Sequence, residues 1–133
     1  MNTQIGKFRF TYFSEQYQKT YRFYQEALEL TLAHDWDRSE HDKGALFEAG
    51  DGLIEILYKS PSKAENAGLD YRSPQGVFMC IQVFDIDARY QRYKALGLAF
   101  KQEIIDQSWG HRSFSIVEPN GLVLFFFEER FNS

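Results

Sequence analysis

Two stretches of this chain repeat one another, and the repeat constrains the fold more than any other feature. The residues at 27–30, Ala-Leu-Glu-Leu, match Ala-Leu-Gly-Leu at 95–98 with an offset of 68, and Gly-Leu at 52–53 matches Gly-Leu at 121–122 with an offset of 69. The chain has 133 residues, which is enough for one ordinary domain and too few for two. The sequence therefore predicts two copies of one small motif within a single domain, 1–133.

Each copy reads as a strand, a helix and three further strands. Alternation of apolar and polar residues predicts a strand at 7–13, and Ser14 is expected to cap a helix that carries Tyr17, Tyr21 and Tyr24 on one side. Strands follow at 30–37, 45–49 and 53–58, the last two joined by the hairpin turn 50–52.

The second copy repeats this order, and the two copies together predict an α+β fold. Strands are expected at 77–84, 100–107, 113–117 and 122–127, with a helix that Asp85 caps and Gly97 ends. The predicted modules, each strand–helix–strand–strand–strand, are residues 5–58 and 77–129, with a polar linker at 59–76. Glu29 stands where the second copy has Gly97; if that position needs a positive φ, Glu29 is strained by roughly 1 kcal/mol.

Composition limits the partners that the chain can have. Fifteen Lys and Arg against nineteen Asp and Glu give a net charge of −4, which argues against nucleic-acid binding. The single cysteine, Cys80, excludes an internal disulfide and suits the cytoplasm. Neither a membrane-spanning run nor the pattern of a signal peptide occurs, so we expect a cytoplasmic protein that does not bind membranes. Aromatic residues make up 17% of the chain, which favours a flat-ligand cavity or an aromatic core.

Two motifs carry a family resemblance over essentially the whole chain. Phe-Tyr at 23–24 precedes Leu-Glu-Leu at 28–30, and Trp-Gly-His-Arg-Ser-Phe at 109–114 leads to Glu-Pro-Asn-Gly at 118–121. In this order the chain resembles the vicinal oxygen chelate superfamily, which includes glyoxalase I, bleomycin-resistance proteins and extradiol dioxygenases, and its motifs are most similar to the bleomycin-resistance type. The resemblance implies tandem βαβββ modules whose half-open curved sheets enclose a cavity, and a homodimer.

The resemblance also implies where a metal site would lie. Metal-using relatives carry one ligand on each of four strands, and the matching positions here are Arg9, Glu55, Phe78 and Phe125. A catalytic divalent metal takes about three protein ligands, and shifting the register by one residue supplies no more of them. We therefore expect no metal and no other cofactor. An Arg9–Glu55 ion pair is expected in the place of the metal.

Further candidate ligand-binding residues come from alternation and from the resemblance. Alternation puts Phe127 on the same face as Phe125, while Trp109 and Arg112 border the ligand cleft in proteins that this chain resembles. The predicted ligand-binding set is Arg9, Glu55, Phe78, Phe125, Phe127, Trp109 and Arg112. The three histidines, His34, His41 and His111, have no metal-ligand spacing and read as surface residues.

Three classes of function stay open, and the sequence does not decide whether the protein is an enzyme. The first is a metal-independent protein that binds or sequesters a small aromatic or cationic molecule, as a resistance protein does. The second is a superfamily enzyme of lyase, isomerase or dioxygenase type, with Glu55 as the candidate base or with a relocated metal site. The third is an interaction domain that has kept only the fold.

Overall fold

The computed structural model describes residues 4–59 and 74–130. The chain divides into two compact units, Met1–Arg72 and Ser73–Ser133. The boundary falls within the predicted linker, of which residues 60–73 lie outside the described part of the chain. Within the described ranges, no helix is long and apolar enough to cross a membrane.

The first unit is a four-stranded sheet with a helix on one face. Its elements in chain order are β1 (Arg9–Ser14), α1 (Tyr17–Arg22) with a π-helical turn (Phe23–Ala27), β2 (Leu32–Ser39), β3 (Asp42–Ala49) and β4 (Gly52–Tyr58). The strand order is β1-β4-β3-β2. β1 is parallel to β4, whereas the other pairs are antiparallel.

The second unit repeats this arrangement. It contains β5 (Phe78–Gln82), α2 (Ile86–Ala95), β6 (Phe100–Asp106), β7 (His111–Val117) and β8 (Val123–Glu129). The order is β5-β8-β7-β6, again with one parallel pair, β5 with β8. The predicted α+β fold of tandem βαβββ modules is confirmed.

Each sheet buries one face against its helix. In the first unit Tyr24 packs on Phe47 with ring centroids 5.6 Å apart. In the second, Tyr93 of α2 lies 5.8 Å from Phe114 and 5.6 Å from Phe126. Because side chains alternate along a strand, the residues between these core positions lie on the other side of the sheet, which we call the distal face.

Of the two predicted helix caps, Asp85 is the N-cap residue of α2, although its side chain makes no capping bond, whereas Ser14 is not the N-cap residue of α1. Ser14 is the last residue of β1, and the residue before α1 is Gln16, whose N–H donates to Ser14 Oγ at 3.1 Å. Asp85 does precede α2, but its carboxylate accepts from Arg89 at 3.0 Å. The N–H of Ile86 donates instead to Glu128 Oε1 at 3.1 Å. The Glu128 carboxylate of β8 therefore accepts the hydrogen bond from the start of α2 that local spacing predicted for Asp85.

Glu29 has a positive φ, as its match to Gly97 suggested. Glu29 has φ of 55°, close to the 73° of Gly97, its counterpart in the second copy. Both turns close in the same way, since the N–H of Leu30 donates to Tyr24 O at 3.0 Å and that of Leu98 to Tyr93 O at 3.2 Å. This turn also explains why β2 begins at Leu32 and not at the predicted residue 30.

Candidate functional site

The predicted Arg9–Glu55 pair lies on the distal face of the first sheet. The register of β1 against β4 sets Thr11 opposite Glu55, with Arg9 on the same side two residues earlier. Arg9 Nη1 lies 3.3 Å from Glu55 Oε2, and Thr11 Oγ1 donates to Glu55 Oε1 at 2.8 Å. Both carboxylate oxygens are thus occupied, and the Glu55 side chain is only 14% exposed.

A strip of aromatic rings covers the distal face of the second sheet. Phe78 of β5 meets Phe125 of β8 with centroids 6.2 Å apart, and Phe125 lies 6.4 Å from Phe127. His111 stacks on Phe127 at 4.6 Å with planes 14° apart, and Trp109 meets His111 edge-on at 6.3 Å. We call these five side chains the aromatic strip.

The aromatic strip forms one wall of a cleft of about 580 Å³. The lining side chains are Phe78, Cys80, Gln102, Gln107, Trp109, His111, Phe125 and Phe127. Rings of this kind bind flat ligands by stacking, while a few polar groups fix the orientation of the ligand. Four of the residues predicted to bind ligand, Phe78, Phe125, Phe127 and Trp109, come together here.

The polar side chains that line the cleft are the amides of Gln102 and Gln107, the thiol of Cys80 and the imidazole of His111. Gln107 Nε2 donates to Ser113 Oγ at 2.9 Å and lies 3.5 Å from Gln102 Oε1. Burial raises the pKa of the Cys80 thiol, which disfavours its thiolate form. The cleft therefore offers stacking surface and amide hydrogen bonds.

Three residues that line the cleft were not among those predicted to bind ligand: His111, Gln102 and Gln107. The strand was predicted to begin at 113, whereas β7 begins at His111, so alternation extended by two residues would have put His111 on the distal face. Gln102 lies beside an irregularity in the pairing of β6 with β7, and Gln107 lies beyond the end of β6. No simple periodicity predicts the last two.

Arg112, also predicted to bind ligand, lies in a network of ion pairs away from the aromatic strip. Its Nε lies 3.0 Å from Asp87 Oδ1, and its Nη1 lies 3.1 Å from Asp106 Oδ1. Asp87 also accepts from Arg130 Nη2 at 2.7 Å. The hydrogen bonds from Arg130 and Arg112 lower the pKa of Asp87. In the structure Arg112 ties α2 to the end of β6.

Trp36 packs against its own sheet. Its indole lies across Gly44 of β3, and its Nε1 donates to Asp42 Oδ1 at 3.1 Å. His34 stacks beside it at 5.9 Å. Trp36 thus packs on the sheet in a position that is open only because residue 44 is a glycine.

Comparison with known proteins identifies the family. The sequence profile of the Glyoxalase/Bleomycin resistance protein/Dioxygenase superfamily matches residues 8–126. The chain belongs to this superfamily. No curated protein matches it at a significant level of sequence similarity.

Several solved structures share the fold of this chain at low sequence identity. A superfamily member from Sphaerobacter thermophilus is 18% identical with a TM-score of 0.75, and the match covers 96% of this chain and 100% of that one. TnmS3, an antibiotic-binding protein from a Streptomyces species, is 18% identical with a TM-score of 0.73, covering 97% and 99%. TioX from a Micromonospora species is 13% identical with a TM-score of 0.72, covering 94% and 99%. At such identities the likeness is one of fold.

The metal chemistry of the superfamily does not fit the residues at the four inferred ligand positions. Phe78 and Phe125 carry no donor atoms, and Arg9 brings a positive charge up to the only carboxylate, Glu55. Over the described ranges 4–59 and 74–130, no group of three His, Cys, Asp or Glu side chains is arranged to hold a metal ion.

Proposed function

We propose that this superfamily member is a metal-independent small-molecule-binding protein, of the sequestering or resistance type, and that its ligand stacks on the aromatic strip. The observation that carries the proposal is that Phe78 and Phe125 occupy positions that the resemblance assigns to metal ligands, and that they line one cleft. Rings at these positions offer stacking surface where metal-using relatives have donor atoms. The proposed function is therefore retention of a flat ligand.

Exposure of the strip supports this proposal. Phe78 is 60% exposed and Trp109 57% exposed, although both are large apolar residues. Contiguous exposed apolar surface of this kind marks binding sites more often than ordinary protein surface. Each well-placed aromatic pair adds about 0.5–1.5 kcal/mol beyond its buried area, so a planar ligand that meets two rings gains substantial affinity.

Likeness to TnmS3 supports the proposal at the level of fold. That protein is described as antibiotic-binding, and its match covers 97% of this chain. The same architecture therefore serves to bind a small molecule in at least one protein of similar structure.

Calorimetric titration with planar aromatic compounds tests the proposal. We expect at least one such compound to saturate the protein at micromolar to millimolar concentration, and Phe125→Ala to weaken its binding about tenfold, because the ring stacks at the centre of the strip. Phe84→Ala is the matched control, since Phe84 is 86% exposed and is not one of the cleft-lining side chains. Equal losses in the two variants would contradict the proposal.

Thermal unfolding with metals tests the metal-independent part. The chelator-treated protein is titrated with Ni, Co, Zn, Mn, Fe(II) and Mg. A site saturated at 100 times its dissociation constant would add about 2.7 kcal/mol of stability. We expect no saturable shift with any of these ions, and a clear shift with one would move the second candidate function ahead of the first.

The second candidate function is an enzyme of the superfamily with Glu55 as base. Its support is a carboxylate that is 14% exposed on the distal face of a sheet. Against it, Thr11 and Arg9 donate to the oxygens that would have to take up a proton. Glu55→Gln separates the two: a binding protein loses ligand affinity if Glu55 contacts ligand, whereas an enzyme loses turnover and keeps binding.

We further propose a homodimer, as the family resemblance implies. Sedimentation equilibrium of the purified protein tests this, and a monomer at high micromolar concentration would refute it.

A further inference from the structure

The cleft of the second unit specifies the chemistry of its ligand beyond its flatness, an argument that rests on the proposed function. Its eight described lining side chains include no Asp, Glu, Lys or Arg. The lining thus holds no carboxylate to pair with a cation, and its hydrogen-bonding groups include the two neutral amides of Gln102 and Gln107 beside the imidazole of His111. This lining favours an uncharged ligand.

The hydrogen bonds of the two glutamines leave a defined donor and a defined acceptor. Gln107 Nε2 donates to Ser113 Oγ at 2.9 Å and to Gln102 Oε1 at 3.5 Å. This arrangement uses the amide nitrogen of Gln107 and the amide oxygen of Gln102. The groups left for a ligand are Gln102 Nε2, which donates, and Gln107 Oε1, which accepts.

The polar pair and the stacked rings belong to the same cleft. Gln102 and Gln107 line it together with Phe125, Phe127 and Trp109. A ligand that stacks on the strip therefore shares the cleft with an amide donor and an amide acceptor. A carbonyl next to an N–H, in the plane of an aromatic ring system, matches such a pair.

We propose that the cleft binds an uncharged planar aromatic lactam or cyclic imide, whose carbonyl accepts from Gln102 Nε2 and whose N–H donates to Gln107 Oε1. The rings of the strip supply affinity for any flat aromatic molecule of suitable size. The two glutamines select among such molecules, because a flat ligand without this edge would bury both amide groups unpaired.

Three probes of nearly equal size and shape test the inference by calorimetry. 2-Quinolone has the carbonyl and the N–H, 2-methoxyquinoline lacks the N–H, and N-methylquinolinium carries a positive charge. We expect 2-quinolone to bind about tenfold more tightly than 2-methoxyquinoline, the factor typical of losing one or two hydrogen bonds. N-methylquinolinium should bind most weakly.

Leucine variants of the two glutamines test whether these residues cause the preference for 2-quinolone. Gln102→Leu should weaken 2-quinolone about tenfold, because the carbonyl of the ligand loses its donor. Gln107→Leu should also weaken 2-quinolone about tenfold but leave 2-methoxyquinoline within about twofold, because the latter has no N–H to donate; circular dichroism checks folding, since the substitution also removes the bond to Ser113. Gln91→Leu, an exposed glutamine of α2, is the matched control and should change neither affinity.

The outcomes separate this inference from the proposed function. If all three probes bind equally and Phe125→Ala weakens them all, the strip binds ligands but the lactam inference is wrong. If Phe125→Ala changes no affinity, the proposed function itself is wrong. Tightest binding by N-methylquinolinium, or no binding by any probe up to its solubility, would also overturn the lactam inference.

Discussion

Gly44 is the position at which one methyl group should test the packing of the first sheet most directly. A Cβ built on Gly44 would lie 2.1 Å from Trp36 Cζ2, 2.5 Å from Cη2 and 2.6 Å from Cε2. Carbon atoms that are not bonded do not approach so closely, and an indole is rigid. Gly44→Ala must therefore displace the whole Trp36 ring from the sheet.

The cost follows from what the Trp36 ring would lose. The hydrogen bond from Nε1 to Asp42, at 3.1 Å, is worth about 0.5–1.5 kcal/mol. The cation–π contact with Arg38, at 5.7 Å, adds about 0.5–1 kcal/mol, and strain in the packing adds a similar amount. Alanine is better than glycine in a strand by about 0.5–1 kcal/mol, so the expected net loss of stability is about 1–2.5 kcal/mol.

A double-mutant cycle isolates this clash. In a Trp36→Ala background the ring is gone, so Gly44→Ala should stabilise the protein by about 0.5–1 kcal/mol. The coupling energy between the two positions should then be about 1.5–3.5 kcal/mol, near the upper end for residues in contact. Urea unfolding of the four proteins at 25 °C, followed by far-UV circular dichroism, measures it. An equal effect of Gly44→Ala in both backgrounds would refute the reasoning.

Three further predictions concern stability. Glu29→Gly should stabilise the protein by about 0.5–1 kcal/mol in urea unfolding, because φ of 55° suits glycine, while the control Glu26→Gly should destabilise it. Asp87→Asn should lower the melting temperature at pH 7. Hydrogen bonds from Arg130 and Arg112 hold the pKa of Asp87 below the ordinary 3.8, so this carboxylate stabilises the fold above that pH. The stabilisation is lost as pH falls through the lowered pKa, and the melting temperatures of the two proteins should converge below it. Glu118→Ala should lower the free energy of unfolding in urea by about 2–4 kcal/mol, more than Glu118→Gln does. The reason is that Glu118 is 1% exposed and its carboxylate accepts from Asn120 and from the Leu122 N–H at 2.9 Å. A loss below 1 kcal/mol would contradict that role.

Much of the fold was predictable because its determinants are local. Alternation and turn residues identified every strand to within a few residues, and the hairpin at 50–52 is formed by a two-residue loop with Gly50 at φ of 59°. The repeat at an offset of 68 exposed the two modules and, through Gly97, the positive φ of Glu29. These features depend on the steric preferences of a few consecutive residues.

Part of the candidate site was predictable for the same reason. Strand alternation put Phe125 and Phe127 on one face of β8, and the family resemblance added Phe78 and Trp109, all of which line the cleft. The polar partners in the cleft were not predictable, because an irregular pairing of β6 with β7 sets the position of Gln102. A strand irregularity changes which side chains meet without leaving a periodic signal.

The sequence by itself determined the duplicated βαβββ order and the strand faces, because the repeat and the alternation with period two can be read from neighbouring residues, whereas the Arg9–Glu55 pair was expected from the family resemblance. Only the tertiary structure decided which long-range partners meet. In the folded chain the N–H of Ile86 donates to Glu128 and not to Asp85, and Arg112 donates to Asp87. Such partners lie 25 or more residues apart, and strand register and helix placement, which no local pattern encodes, bring them within hydrogen-bonding distance.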